Sequence, residues 1–160
     1  MLISTSRKPS QKTRKFCKNF ARTTDSTSVN RGKMNMRELL LKALSEDESN
    51  LAIVNEIKGN PSRITFYSNK GDELLKILIS VNISNERLNI KPSELKMVSE
   101  VEELNCLSDI FGFELVEKAE DNYIHISSED ENLVAKINFI NKFGDKIDFH
   151  INVKKILDES

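Results

Sequence analysis

Between Leu74 and Ile83, apolar residues occupy every second position: Leu75, Ile77, Ile79, Val81 and Ile83 face one way. A period of two gives a strand one buried face and cannot give a helix a continuous stripe. The pattern returns near the other end, where Ile147, Phe149, Ile151 and Val153 oppose Lys146, Asp148, His150 and Asn152. Leu133, Ala135, Ile137 and Phe139 share a face, and Tyr123–Ser127 alternates as well. Arg63–Ser68 forms a hairpin with Leu74–Ile83 through a Gly71-Asp72 turn, and a further turn is expected at Lys58-Gly59-Asn60-Pro61. Asn50–Glu56 is different. Leu51, Ala52, Ile53 and Val54 are continuous, which marks a strand covered on both faces. The chain is therefore expected to build a sheet with helices packed on it.

Two helices carry clear start signals. Ser10 caps a helix running to about Arg22, in which Thr13, Phe16, Cys17, Phe20 and Ala21 recur at the spacing of a buried stripe. Lys12, Lys15, Lys18 and Arg22 fall largely on the opposite side, with Arg14 flanking. Asn35 caps a second helix, Met36–Leu44, with Met36, Leu39, Leu40, Ala43 and Leu44 on one face. Short strands are expected at Met1–Ser6 and Ser28–Arg31, with Gly32 turning the chain. Leu95–Ser99 is a strand or the start of a helix. Val101–Phe111 reads as helix, ended by Gly112. A coarse β-α-β then β-β-β order thus occurs twice, without sequence self-similarity that would prove a repeat. A length of 160 residues admits one domain or two small halves sharing a core.

The net charge of −1 speaks against a nucleic-acid partner until its distribution is considered. Residues 1–37 hold ten bases and one acid, Asp25, for +9; the other 123 residues hold 14 bases and 24 acids, for −10. A cationic segment on an acidic body is a signature of nucleic-acid contact, and equally of a solvated helix face. The apolar stripe decides against a loose tail, because a disordered segment has no use for one. The loop Ser6-Arg7-Lys8-Pro9-Ser10 leads from strand to helix, and the free N–H groups and positive dipole end expected there would seat a phosphate.

Other chemistry finds no support. That loop lacks the glycines and Gly-Lys-Ser/Thr ending of a P-loop, so nucleotide hydrolysis is rejected. Cys17 and Cys106 cannot make a disulfide framework, and no Cys/His spacing indicates zinc. Cys17 reads as a core residue. His125 and His150 lie on the polar side of alternating strands, without a partner spacing that defines a triad. The acidic runs Glu100, Glu102, Glu103 and Glu129-Asp130-Glu131 have no metal-loop spacing. Tyr67 and Tyr123 are too few to form a stacking stripe. No catalytic residue, metal, cofactor or small-molecule substrate is expected. No apolar run approaches the ~20 residues of a membrane span, and the N-terminus lacks the charged leader of a signal peptide. The basic helix spends its apolar face on Phe16 and Phe20, so membrane docking is not expected either.

Three motifs then acquire a family context. Ser4-Thr5-Ser6-Arg7-Lys8-Pro9-Ser10 with Thr13-Arg14 and Phe16 resembles the opening of Brix-domain proteins. Asn30-Arg31-Gly32-Lys33-Met34, followed by Glu38-Leu39-Leu40 and Lys42-Ala43, resembles their second stretch. Gly59-Asn60-Pro61-Ser62-Arg63-Ile64 and Phe66 resemble the third. The length matches the small stand-alone archaeal members. Where larger eukaryotic relatives carry Gly-Pro-Thr, this chain has Gly71-Asp72-Glu73-Leu74.

The resemblance implies an α/β Brix fold of two halves, 1–85 and 86–160, each similar to the anticodon-binding domain of class II aminoacyl-tRNA synthetases. It implies a non-catalytic ribosome biogenesis factor acting in the cytoplasm, with rRNA or pre-rRNA and ribosomal or assembly proteins as partners. The residues expected to bind RNA are Arg7, Lys8, Ser10, Lys12, Arg14, Lys15, Lys18, Arg31, Lys33 and Arg37. The rival expectation is a protein-interaction module. In it the acidic remainder receives a basic protein, and the basic segment folds back onto acids of the same chain.

Overall fold

A computed structural model describes residues 1–83 and 88–157. The expected boundary between halves, at 85/86, lies outside the described residues. The first half runs β1 (Leu2–Thr5), α1 (Gln11–Thr24), β2 (Thr27–Ser28), α2 (Met36–Ser45), β3 (Asn50–Ile57), β4 (Asn60–Ser68) and β5 (Glu73–Val81). The second runs β6 (Lys96–Ser99), α3 (Leu107–Phe111), β7 (Glu114–Leu115), β8 (Tyr123–Ser127), β9 (Ala135–Ile140) and β10 (Lys146–Ile156). Short 3₁₀ turns, Pro92–Glu94 and Glu102–Leu104, flank β6.

The ten strands of the described residues form one sheet, in the order β2-β1-β3-β4-β5-β10-β9-β8-β6-β7. Read inward from either edge, the pattern is the same. A two-residue edge strand lies parallel to a four-residue strand, which is parallel to the next, and antiparallel pairs follow. The two series meet at an antiparallel β5–β10 seam.

The caps explain where the helices sit. Ser10 Oγ accepts the Thr13 N–H at 3.1 Å to start α1, and Asp25 ends it in the left-handed region. Asn35 and Glu38 form a reciprocal capping box at the start of α2. Because β-strand side chains alternate, Ile3, Ala52 and Val54 face α1, whereas Leu2, Leu51 and Ile53 face α2 on the opposite side of the sheet. The α1 side holds the main core. There Phe16 lies 5.8 Å from Phe149, and Phe20 lies 5.8 Å from Phe111 (centroid to centroid), so rings from both series interlock.

Four expectations change. The helix expected over 101–111 is broken into the 3₁₀ turn 102–104 and α3. Val101, Leu104, Leu107 and Ile110 are all buried at a spacing of three, which suits 3₁₀ geometry better than α-helix. Gly112 does end the element, in the left-handed region. The strand expected at Ser28–Arg31 pairs only over Thr27–Ser28; the Val29 N–H still reaches the Ile3 carbonyl, but the Val29 carbonyl accepts from the Ser4 hydroxyl in place of a strand partner. Pro61 belongs to β4 rather than the turn before it. Leu95–Ser99 resolves as strand over Lys96–Ser99.

Candidate functional site

The N-terminus of α1 is already filled. Glu56, on β3, places its carboxylate there and accepts the Ser10 N–H at 3.0 Å and the Ser10 Oγ–H at 3.0 Å. Ser10 Oγ also lies 2.8 Å from the Gly59 carbonyl, and the Thr13 hydroxyl bonds to Glu56 as well. The Thr13 hydrogen bond first, and then the two from Ser10, hold the Glu56 carboxyl below its ordinary range against the opposing effect of burial. The phosphate seat expected at Ser10 therefore holds an internal anion that satisfies the helix dipole. This corrects the expectation for Ser10, which is a cap.

The unpaired cations lie one turn further on. Arg14 and Lys18, successive on one side of α1, face Arg31 across a groove of about 350 Å³ walled by Thr5, Ser28 and Asn30. Arg31 donates from Nε to the Met34 carbonyl at 2.8 Å and from Nη1 to the Thr5 carbonyl at 2.9 Å. Both partners are neutral, so the side chain is fixed in place with its charge uncompensated. Burial, and then the neighbouring Arg7, push its pKa below the ordinary value. An arginine stays protonated despite this, so an anion entering the groove would meet a positive charge that has no carboxylate partner among the described residues.

The remaining expected residues divide. Lys12 turns to the β3–β4 hairpin and donates to Asn60 Oδ1 at 2.7 Å. Lys8 is exposed in the loop before α1 and Lys15 is half-buried on the helix. Lys33 is exposed in the turn after the groove. Arg37 sits on α2, across the sheet from α1. The expected track from α1 to Arg37 is thus interrupted by the sheet itself. Cys17 is buried, and burial pushes its thiol up to about 12, as a core residue requires.

Among the described residues, the ion pairs join Met1 to Glu48, Lys42 to Glu46, Lys76 to Glu73, Lys96 to Glu114 and His125 to Glu100. None involves the ten bases of residues 1–37. The fold-back of the basic segment onto acids of the same chain, expected under the rival reading, therefore runs through Ser10, Thr13 and the Met1 amine, which meet Glu56 and Glu48, and not through the basic side chains. Sequence reasoning also left Arg22 outside the site. It continues the Arg14–Lys18 row by one more turn and lines a second groove with Lys91 and Lys142. The row itself was a signal for Arg22, whereas Lys91 and Lys142 arrive by tertiary folding alone.

No family model matches the chain. A probable Brix domain-containing ribosomal biogenesis protein of Methanothermobacter thermautotrophicus is 32% identical over 131 residues, covering 82% of this chain and 82% of the relative. One of Methanococcus maripaludis is 32% identical over 157 residues, covering 97% of this chain and 88% of the relative. Among solved structures, Mil, an archaeal Imp4-like protein, superposes with a TM-score of 0.81 at 30% identity, covering 98% of this chain and 99% of Mil. A probable ribosomal biogenesis protein of Aeropyrum pernix, 22% identical with a TM-score of 0.73, shares the fold.

Proposed function

The chain belongs to the Brix-domain family of ribosomal biogenesis proteins, and from that premise we propose that it binds rRNA or pre-rRNA during subunit assembly without catalysing a reaction. The observation that carries this reading is the groove of Arg14, Lys18 and Arg31, with Arg7 beside it, in which no carboxylate among the described residues pairs with these cations. Four cations around a concave surface, with Arg31 fixed by two backbone hydrogen bonds, suit the phosphates of a nucleic-acid backbone. They grip and orient it and read little sequence. Lys8, Lys15 and Lys33 extend the contact at its margins. The reading that each half is akin to a synthetase anticodon-binding domain rests on the shared family and on the repeated strand order. The archaeal relatives support action in the cytoplasm, and among the described residues no helix is long and apolar enough to cross a membrane.

Salt titration of binding to a structured rRNA fragment tests this. With about four phosphates neutralised, log K falls against log salt with a slope of about −3 to −4. Arg14→Glu with Lys18→Glu removes about half of that slope. A folded protein with no salt-dependent RNA binding overturns the proposal.

A second partner is favoured by one observation. Residues 86–160 hold nine bases and 17 acids. We infer that this half receives a basic ribosomal or assembly protein, and co-purification that survives the groove substitutions is the expected result.

A further inference from the structure

Of the eight phenylalanines, five are fully buried, Phe111 is buried and Phe113 is partly so. Phe143 alone points out, 70% exposed at the tip of the β9–β10 hairpin. A large ring left in water at one site, when seven others are withdrawn, calls for a reason.

The tip is not a loose loop. Asn141 Oδ1 accepts the Phe143 N–H at 2.9 Å and the Asp145 N–H at 3.0 Å. The Asn141 N–H donates to the Asp145 carbonyl at 2.8 Å, and the Gly144 N–H to the Asn141 carbonyl at 3.0 Å. Gly144 takes a φ of 83°, which strains any other residue, and a Cβ there would stand a tight 3.3 Å from the Glu120 carbonyl, so the turn favours glycine. The backbone on either side of Phe143 is thereby fixed.

Asn122 ties this hairpin to a second loop. Its side chain accepts the Lys91 N–H at 3.0 Å and donates to the Lys91 carbonyl at 3.0 Å. Its own N–H donates to the Asn141 carbonyl at 2.8 Å. Lys91 and Lys142 are thus held in a fixed relation by one nearly buried amide, and with Arg22 from α1 they line a groove of about 140 Å³. Lys142 Nζ sits over one face of the Phe143 ring, 5.1 Å from its centroid, which places the ring next to a residue that lines that groove. Among the described residues no carboxylate pairs with Arg22, Lys91 or Lys142.

An exposed, backbone-fixed ring beside unpaired cations has the two elements of a single-strand nucleic-acid site: a stacking surface for a base and positive charge for its phosphates. We propose that Phe143 stacks on an unpaired base of the bound RNA, while Arg22, Lys91 and Lys142 hold the phosphates flanking it. Arg22 lies one helical turn, about 6 Å along the axis, beyond Lys18. One RNA strand can therefore pass from the Arg14–Lys18–Arg31 groove along α1 to this second site. The inference rests on the RNA-binding reading and adds a preference for single-stranded segments.

The chain has no tryptophan, so Phe143→Trp installs a unique fluorophore at the platform. The probes are a 12-nucleotide oligouridylate, a blunt RNA duplex of the same length, and vesicles containing anionic lipid. The expected result is strong quenching by the single strand and little by the duplex. Phe143→Ala is expected to weaken single-strand binding roughly ten-fold, since one stacked base contributes about 1–3 kcal/mol, and to leave duplex binding unchanged. Phe143→Tyr restores the affinity and Phe143→Leu does not. Unchanged single-strand affinity in Phe143→Ala, with no quenching in Phe143→Trp, overturns the platform. If Arg14→Glu/Lys18→Glu still loses RNA in that case, the broader RNA reading survives; if the unsubstituted protein binds no RNA at all, both fall. A blue shift with vesicles in place of quenching by RNA assigns the ring to a lipid surface and also overturns the proposal.

Discussion

The two ends of the sheet share a strand order but not a charge. In the first half the helix behind the edge strands is α1, 14 residues long, with Lys12, Arg14, Lys15, Lys18 and Arg22 outside. In the second half the same place is taken by a 3₁₀ turn and the five-residue α3, carrying Glu102, Glu103 and Asp109 and no base. The reverse face differs too. There α2 covers β1 and β3, whereas residues 116–122 reach β8 without a helix. The common strand order supplies a scaffold; the outer faces of the elements laid on it decide what each half can attract. Under the proposed reading, RNA contact centres on the outer face of the first half, and the second half adds Lys91, Lys142 and Phe143.

The comparison breaks most severely if the halves are separable. Phe149, on β10, packs against both Phe16 and Phe139. Phe149→Ala is expected to cost about 3–5 kcal/mol and to lower a single urea transition seen equally by probes in both halves. Two resolved transitions would show two independent domains. Next in size is the internal anion of the first half. Glu56→Gln is expected to lose about 1–2 kcal/mol at neutral pH, as capping contacts do. The folded carboxyl titrates below the unfolded one, so its stabilisation is complete above the ordinary glutamate value of about 4.3 and is lost as pH falls through the lowered folded value. Urea midpoints of the two proteins should therefore converge in acid.

Charge exchange sharpens the contrast directly. Lys18→Glu is expected to weaken RNA binding roughly ten-fold, about 1.4 kcal/mol, while Glu103→Lys at the equivalent face leaves it intact. Equal effects would erase the distinction between the halves. The smallest effect belongs to the His125–Glu100 pair, 2.6 Å apart and open to water. His125→Ala is expected to change stability by less than about 1 kcal/mol, read from the urea midpoint.

What sequence could reveal follows from distance along the chain. The alternation at Leu75–Val81 and Ile147–Val153, and the caps Ser10, Asn35 and Gly112, are local signals, and the structure carries all of them. The motif around Arg7–Ser10 was equally visible, but Glu56, which occupies its helix end, lies 46 residues away. Nothing local to Ser10 announces that carboxylate. Arg37 looked continuous with the basic segment because sequence does not show that α2 crosses to the other face. Lys91, Asn122 and Lys142 come from three separate loops, each with an unremarkable local sequence, and only the folded sheet gathers them. The period of three from Val101 to Ile110 was present in the sequence but fits the expectation of a helix well enough to conceal the break.

The seam at β5–β10 has a consequence for how the molecule comes into being. The last strand in chain order occupies the middle of the sheet, between β5 and β9. Until β10 emerges from synthesis, β5 presents a bare edge and Phe16 lacks one of its ring partners. Closure then waits on pairings between residues such as Ile77 and Ile156, far apart along the chain, the kind of non-local step that slows folding and leaves strand edges open meanwhile.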